Sequence, residues 1–360
     1  MAYPRHRTIP FALITLGLAL GACGSTAVTA PADAAAPTDR VTVDDAPTAV
    51  DAPAATDAPA ATDAPAPARD VVATDRVEPP LMVTGCDALQ AGTVNNFMVD
   101  GVARSFILTL PTGATGPGGR WPVVFAWHGA GDNAANFNRL LAGQVNNSAM
   151  PFILVTPVSR RLVPPAGLEW EQLQARGPNG DARLFDAVLQ CVGERYGLDE
   201  DRVYTGGFSA GAIMSDLLGV LRGDRLAAIA AFSGGYFANP ENPPTLGAAR
   251  GFVGWPEPST TNRYPQLLAF GGERDFISLV VAQARFDQYA ANDVPWLNAA
   301  GHDVIVCDHG GGHTVPSALL GATLVGFFQA HPRGTRRSPW GMTPPSNLPS
   351  YCRYSRGAGD

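Results

Sequence analysis

The sequence predicts an α/β fold, a mostly parallel sheet flanked by helices on both faces, carried behind a disordered N-terminal tether. Two observations lead there. Short apolar runs suited to strands buried on both faces, at residues 123–127, 152–155, 203–205, 227–232, 266–270 and 304–307, alternate with patterns of helical period. The composition also changes near Leu81, where aromatic and β-branched residues begin together.

At the N-terminus, Arg5 and Arg7 precede an apolar run over 9–22 that is too short for a stable membrane span, so residues 1–22 read as a secretory signal peptide. The run ends in Leu20-Gly21-Ala22-Cys23, which resembles a bacterial lipobox. Cys23 is therefore the expected lipidation site, and a lipid anchor there the only expected membrane contact. Residues 23–80 are nearly all Ala, Pro, Asp, Thr and Val, with imperfect repeats such as Thr56-Asp57-Ala58-Pro59-Ala60-Ala61. Such a segment buries too little apolar area to offset chain entropy, and it is read as a disordered linker.

The catalytic domain is expected over residues 81–360, long enough for one large core. It opens with strand-like segments at 93–99 and 104–110 around Asp100-Gly101, a dipeptide that accepts the positive φ angles of a tight hairpin. The clearest helix spans 181–196, where Phe185, Val188, Leu189, Val192 and Tyr196 recur at helical spacing. Others are expected at 210–221, 279–289 and 318–328.

Composition restricts the chemistry. All 25 basic residues are arginine, and without lysine there is no P-loop, no Schiff base and no Ser-Lys dyad. Against 32 acidic residues they leave a formal charge of −7, which gives no electrostatic footprint for nucleic acid. Neither Cys-x-x-Cys nor His-Glu-x-x-His occurs, so no metal site is expected. With Cys23 set aside, Cys86, Cys191, Cys307 and Cys352 fit two disulfides of an exported protein, with three possible pairings. The alternative for Cys191 is a plain buried residue on the long helix.

The strongest motif is Gly207-Phe208-Ser209-Ala210-Gly211, between an apolar strand and an apolar helix. A serine on so sharp a turn projects at the carboxyl edge of the sheet, and its flanking glycines let neighbouring backbone come close. The helix start supplies a partial positive field, and the N–H of Ala210 is the expected oxyanion donor. The strand at 123–127 ends in His128-Gly129-Ala130-Gly131, where the N–H of Ala130 is the expected second donor. His128 lies too early for the chain order serine, acid, histidine, and a loop-shaping hydrogen bond is its expected role.

A serine hydroxyl needs a positioned histidine to take its proton. His309 and His313 both lie in a glycine-rich loop after the last predicted strand, and His313, at the helix-proximal end, is preferred. The imidazole needs an acid to fix its tautomer. Asp275, in Gly271-Gly272-Glu273-Arg274-Asp275 after the penultimate strand, is preferred over Glu273 and Asp308. Trp255 is a candidate for substrate contact, with core packing as its alternative, and Trp296 a weaker one.

Gly-Phe-Ser-Ala-Gly after Arg202-Val203-Tyr204, His-Gly after a buried strand, Gly-Gly-Glu-Arg-Asp and Gly-Gly-His-Thr-Val-Pro together resemble the secreted polyhydroxybutyrate depolymerase and feruloyl esterase group of α/β-hydrolases, related to carbohydrate esterase family 1. The resemblance covers residues 85–352. It implies an α/β-hydrolase fold and a triad of Ser209, Asp275 and His313. Two positions depart from the group's usual residues: Val315 stands where tryptophan is usual, and Ala130 where cysteine is frequent.

The expected function is that of an exported serine esterase of the cell envelope or the exterior, working without a cofactor on a polyester or on feruloyl or acetyl esters of a polysaccharide. A catalytically inactive, surface-anchored binding lipoprotein with a hydrolase fold is the alternative, since fold alone does not establish function.

Overall fold

The computed structural model describes residues 78–113, 115–160, 169–174, 177–242, 254–279 and 282–359. The expected signal peptide, Cys23 and the expected linker as far as Val77 lie outside the described residues. In chain order the strands are β1 (Val83–Thr84), β2 (Gly92–Val99), β3 (Val102–Thr109), β4 (Trp121–Trp127), β5 (Ile153–Pro157), β6 (Leu198–Phe208), β7 (Ala228–Phe232), β8 (Gln266–Phe270), β9 (Phe276–Leu279), β10 (Ala282–Arg285), β11 (Val304–Asp308) and β12 (Cys352–Ser355). The longer helices are α1 (Ala134–Ala142), α2 (Gly180–Tyr196), α3 (Ala210–Leu221), α4 (Phe286–Ala299) and α5 (Ala322–Ala330).

Among the described residues, ten strands form one sheet in the order β1-β2-β3-β5-β4-β6-β7-β8-β11-β12, and β9 and β10 pair separately. From β5 to β11 the pairing is parallel, whereas β1, β2, β3 and β12 join antiparallel at the two edges. The β2–β3 turn has Asp100 at φ 50° and Gly101 at φ 78°, the left-handed pair that matches strand twist in a two-residue hairpin.

Alternation along the strands separates two cores. Val123, Phe125 and Trp127 of β4 face α2, α3 and α4, while Val124 and Ala126 face α1 and α5. Both faces are covered, which is why these strands read as unbroken apolar runs rather than alternating ones. Cys86 is bonded to Cys191 on α2, and Cys307 on β11 to Cys352 on β12, which selects one of the three pairings. Cys191 is therefore a disulfide partner and not a plain core residue.

Three boundaries differ from expectation. The helix expected over 279–289 runs instead from Phe286 to Ala299, because the buried positions Phe286, Tyr289, Ala290, Val294 and Leu297 keep helical phase well past 289. The preceding residues form the β9–β10 hairpin. The last helix starts at Ala322 rather than 318, since 317–319 form a 3₁₀ turn and Gly321 breaks the phase at φ 60°. Finally, Glu78, Pro79 and Pro80, assigned to the linker by composition, are held against the domain. Glu78 accepts from Arg222 at 2.7 Å, and the carbonyls of Pro79 and Pro80 accept from Arg183 at 2.9 and 3.1 Å.

Candidate active site

The carboxyl ends of β4, β6, β8 and β11 gather the residues singled out in the sequence. Ser209 joins β6 to α3 with φ 54° and ψ −119°, a strained conformation for a residue with a side chain. Its N–H donates to the Phe232 carbonyl at 2.9 Å, pinning the turn to β7. The flanking glycines are sterically required. A Cβ on Gly211 would stand 2.0 Å from the Trp127 carbonyl oxygen, and one on Gly207 2.4 Å from Gly211 backbone. The turn thus closes only where β4, β6 and α3 can touch backbone to backbone.

The loop after β4 passes beside this turn, since a Cβ on Gly129 would lie 3.4 Å from that of Ser209. Ala130 follows at once, and Ala210 opens α3 with its backbone N–H at the helix start. His128 is buried, with Nδ1 2.9 Å from the Gly129 carbonyl, a contact that shapes the loop as the sequence suggested. Two residues the sequence reading missed fasten the same loop. Glu169 accepts from the Gly131 N–H at 3.0 Å, and the Trp170 indole donates to the His128 carbonyl at 3.0 Å. No local motif marks them, since they reach the loop only through the fold.

His313 Nδ1 lies 2.7 Å from Asp275 Oδ1. An ionised carboxylate only accepts, so the pair assigns the proton to Nδ1 and leaves Nε2 as the basic nitrogen. The Phe208 ring, one residue before Ser209, packs on the same imidazole at 4.6 Å. Asp275 is wholly buried, and its other oxygen accepts from the Gly271 N–H and the Ser233 hydroxyl, each at 2.8 Å. The acid and base loops meet through glycine: a Cβ on Gly271 would fall 2.0 Å from the Gly312 carbonyl oxygen.

The competing residues are arranged otherwise. His309 Nδ1 accepts from the Gly311 N–H at 3.2 Å, and burial pushes its pKa below the ordinary value. Glu273 is exposed, and the exposed Asp308 accepts from the Gly310 N–H at 3.1 Å. Trp255, a candidate for substrate contact, is buried at 7% exposure, donates to the Gln172 carbonyl at 2.8 Å and packs on Phe237 at 4.9 Å. Its position is that of a packing residue, because both its ring and its N–H are occupied. Among the described residues, no cluster of His, Cys, Asp or Glu is arranged to hold a metal ion.

The family model described as esterase PHB depolymerase matches residues 104–244, which include β4, the serine turn and β7. Over that stretch the chain resembles the esterase PHB depolymerase family. It is 22% identical over 320 residues to the oxidized polyvinyl alcohol hydrolase of Sphingopyxis sp. (strain 113P3), covering 74% of this chain and 86% of that protein. It is 26% identical over 160 residues to feruloyl esterase D of Neurospora crassa, covering 42% of this chain and 53% of the relative. The crystal structure of native pOPH shares the fold with a TM-score of 0.55 at 18% identity, covering 76% of this chain and 96% of that one. The chain accordingly has the α/β-hydrolase fold, and the proteins it resembles are esterases and hydrolases by name.

Proposed function

We propose that the chain is an exported serine esterase in which Ser209 is the nucleophile, His313 the general base and Asp275 the residue that orients the imidazole. The observation that carries this reading is the 2.7 Å contact between His313 and the buried Asp275, on an imidazole that packs against the residue preceding Ser209. Ser209 Oγ bonds to the ester carbon as its proton passes to His313 Nε2. The negative carbonyl oxygen is received by the N–H groups of Ala210 and Ala130. Collapse breaks the bond to the alcohol, which leaves with the proton from His313. Water, deprotonated by the same nitrogen, then bonds to the acyl carbon, and the acid is released as the bond to Ser209 Oγ breaks and His313 returns the proton to that oxygen.

The substrate class proposed is a polyester or the feruloyl or acetyl esters of a polysaccharide. The name of feruloyl esterase D supports an ester substrate, and that of the oxidized polyvinyl alcohol hydrolase adds a polymer, itself a polyketone rather than an ester, to the substrates to be tried. Export agrees with two disulfides, which persist in oxidising compartments. Anchoring through Cys23 rests on the sequence pattern alone.

The test is labelling by a fluorophosphonate together with turnover of a panel of these esters. Labelling and turnover that both vanish in Ser209→Ala support the reading. A folded wild-type protein that neither labels nor turns over any ester would leave the binding-lipoprotein alternative in its place.

A further inference from the structure

We infer that Ser233 is a positioning residue for catalysis, acting through Asp275. This inference rests on the triad reading and adds to it a residue on a different strand end. Ser233 follows β7 at φ 56°, one of four non-glycine residues at positive φ among the described residues, and Ser209 is another. Such a conformation is costly for a residue with a Cβ, and it persists where the surroundings hold it. Glycine would take it without strain. A serine here is therefore explained by what its hydroxyl does.

That hydroxyl donates to Asp275 Oδ2 at 2.8 Å, while the Ser233 N–H donates to the Ala269 carbonyl of β8 at 2.7 Å. Residue 233 is thus pinned to the strand that ends in the acid loop, and its side chain faces the acid. The chain just beyond it is equally constrained. The Gly235 N–H donates to buried Asp216 at 2.9 Å, and the Tyr236 N–H to buried Asp293 at 3.0 Å. Ser233 is 1% exposed, so water does not substitute freely for its hydroxyl.

Geometry then assigns the role. Two donors, Ser233 Oγ and Gly271 N–H, occupy Oδ2 and leave Oδ1 as the face turned to His313. They fix the carboxylate plane, and they also draw part of its charge away from the imidazole. Without the hydroxyl, Oδ1 carries more of that charge and His313 holds a proton more tightly. Activity should fall through lost orientation, and its acidic limb should move to higher pH.

The test compares Ser233→Ala with Ser233→Gly, alone and combined with Asp275→Ala. Both variants lack the hydroxyl, but only glycine relieves the backbone strain, so a folding defect of the alanine variant is separated from loss of the bond. Other ionisable groups on the two loops are Glu273, Arg274, Asp308 and His309, and Arg285 and Asp287 pair with each other at the hairpin base. The pH profile is therefore also taken in His309→Gln, which removes the neighbouring imidazole. The expected result is a fall in kcat/KM of about 10- to 100-fold in both variants, as for a hydrogen bond to a charged group. It is accompanied by an upward shift of the acidic limb and by no further loss when either is combined with Asp275→Ala. Full activity of Ser233→Gly would overturn the inference. So would a loss that leaves the acidic limb in place or that adds fully to the loss in Asp275→Ala. If Asp275→Ala alone kept wild-type activity, the triad reading itself would have failed, a result distinct from any failure of Ser233.

Discussion

The ring of Phe286 lies on the imidazole of His313 with centroids 4.8 Å apart and planes 16° from parallel. The same residue donates its backbone N–H to the Asp275 carbonyl at 3.0 Å, so the first residue of α4 touches both members of the proposed acid–base pair. Phe286→Leu retains the backbone bond and some of the packing but loses the flat face. It should lower kcat by about 2- to 13-fold with little change in KM, in line with the 0.5–1.5 kcal/mol of an aromatic pair. Steady-state kinetics on one soluble ester checks this, and an unchanged kcat would show that stacking does not position the base.

The two histidines of the glycine loop are separable by substitution. His313→Ala and Asp275→Asn should each cost on the order of 10⁴-fold in kcat, because triad members act as a unit. His309→Ala, whose Nδ1 accepts only from the loop backbone, should cost less than tenfold. Reversal of that order in measured turnover would transfer the role of base to His309.

Stability should fall on acidification, and His331 supplies part of the slope. It is fully buried, its Nδ1 lies 2.6 Å from the Phe327 carbonyl and its Nε2 2.7 Å from the Ser338 hydroxyl, and burial lowers its pKa from 6.5 to about 4. The folded state holds this imidazole neutral, so its contribution is complete above pH 6.5 and is lost progressively as pH falls from there to about 4. The loss is of the order of 3 kcal/mol. Denaturant melts of wild type and His331→Gln between pH 7 and 4 should therefore converge at low pH, and parallel curves would refute the assignment.

Reduction should destabilise the domain strongly. The disulfides close loops of 105 and 45 residues, for which chain entropy gives about 4–5 kcal/mol each. Thermal melts with and without a reductant should differ by tens of degrees in total. Cys352→Ser should loosen β12 from β11, the strand that leads into the His313 loop, and so lower activity more than Cys86→Ser at temperatures where both variants are folded.

Truncation locates the start of the domain. A protein beginning at residue 76 should be fully active and retain the Glu78–Arg222 ion pair, whereas one beginning at residue 81 loses that pair and two acceptors of Arg183. The shorter protein should be active but less stable by about 1–2 kcal/mol, read from denaturant melts.

Some of this site is legible in the sequence because its constraint is local. The serine turn demands small residues at fixed offsets from Ser209, since the carbonyl of Trp127 and the backbone of α3 leave no room for a Cβ, and those glycines stand in the chain for anyone to read. The loops bearing Asp275 and His313 carry glycines for the same reason, and strands covered on both faces leave continuous apolar runs. The tertiary structure alone decided what depends on residues far apart in sequence. It paired Cys86 with Cys191, buried Asp275 while leaving Glu273 and Asp308 in solvent, and brought Glu169 and Trp170 onto the loop before α1. It also set Ser233 against the acid, 42 residues away in the chain. The physical reason is that burial and hydrogen-bond partnership belong to the packed sheet and its neighbours, whereas backbone strain and steric crowding at a turn are written into the few residues that make it.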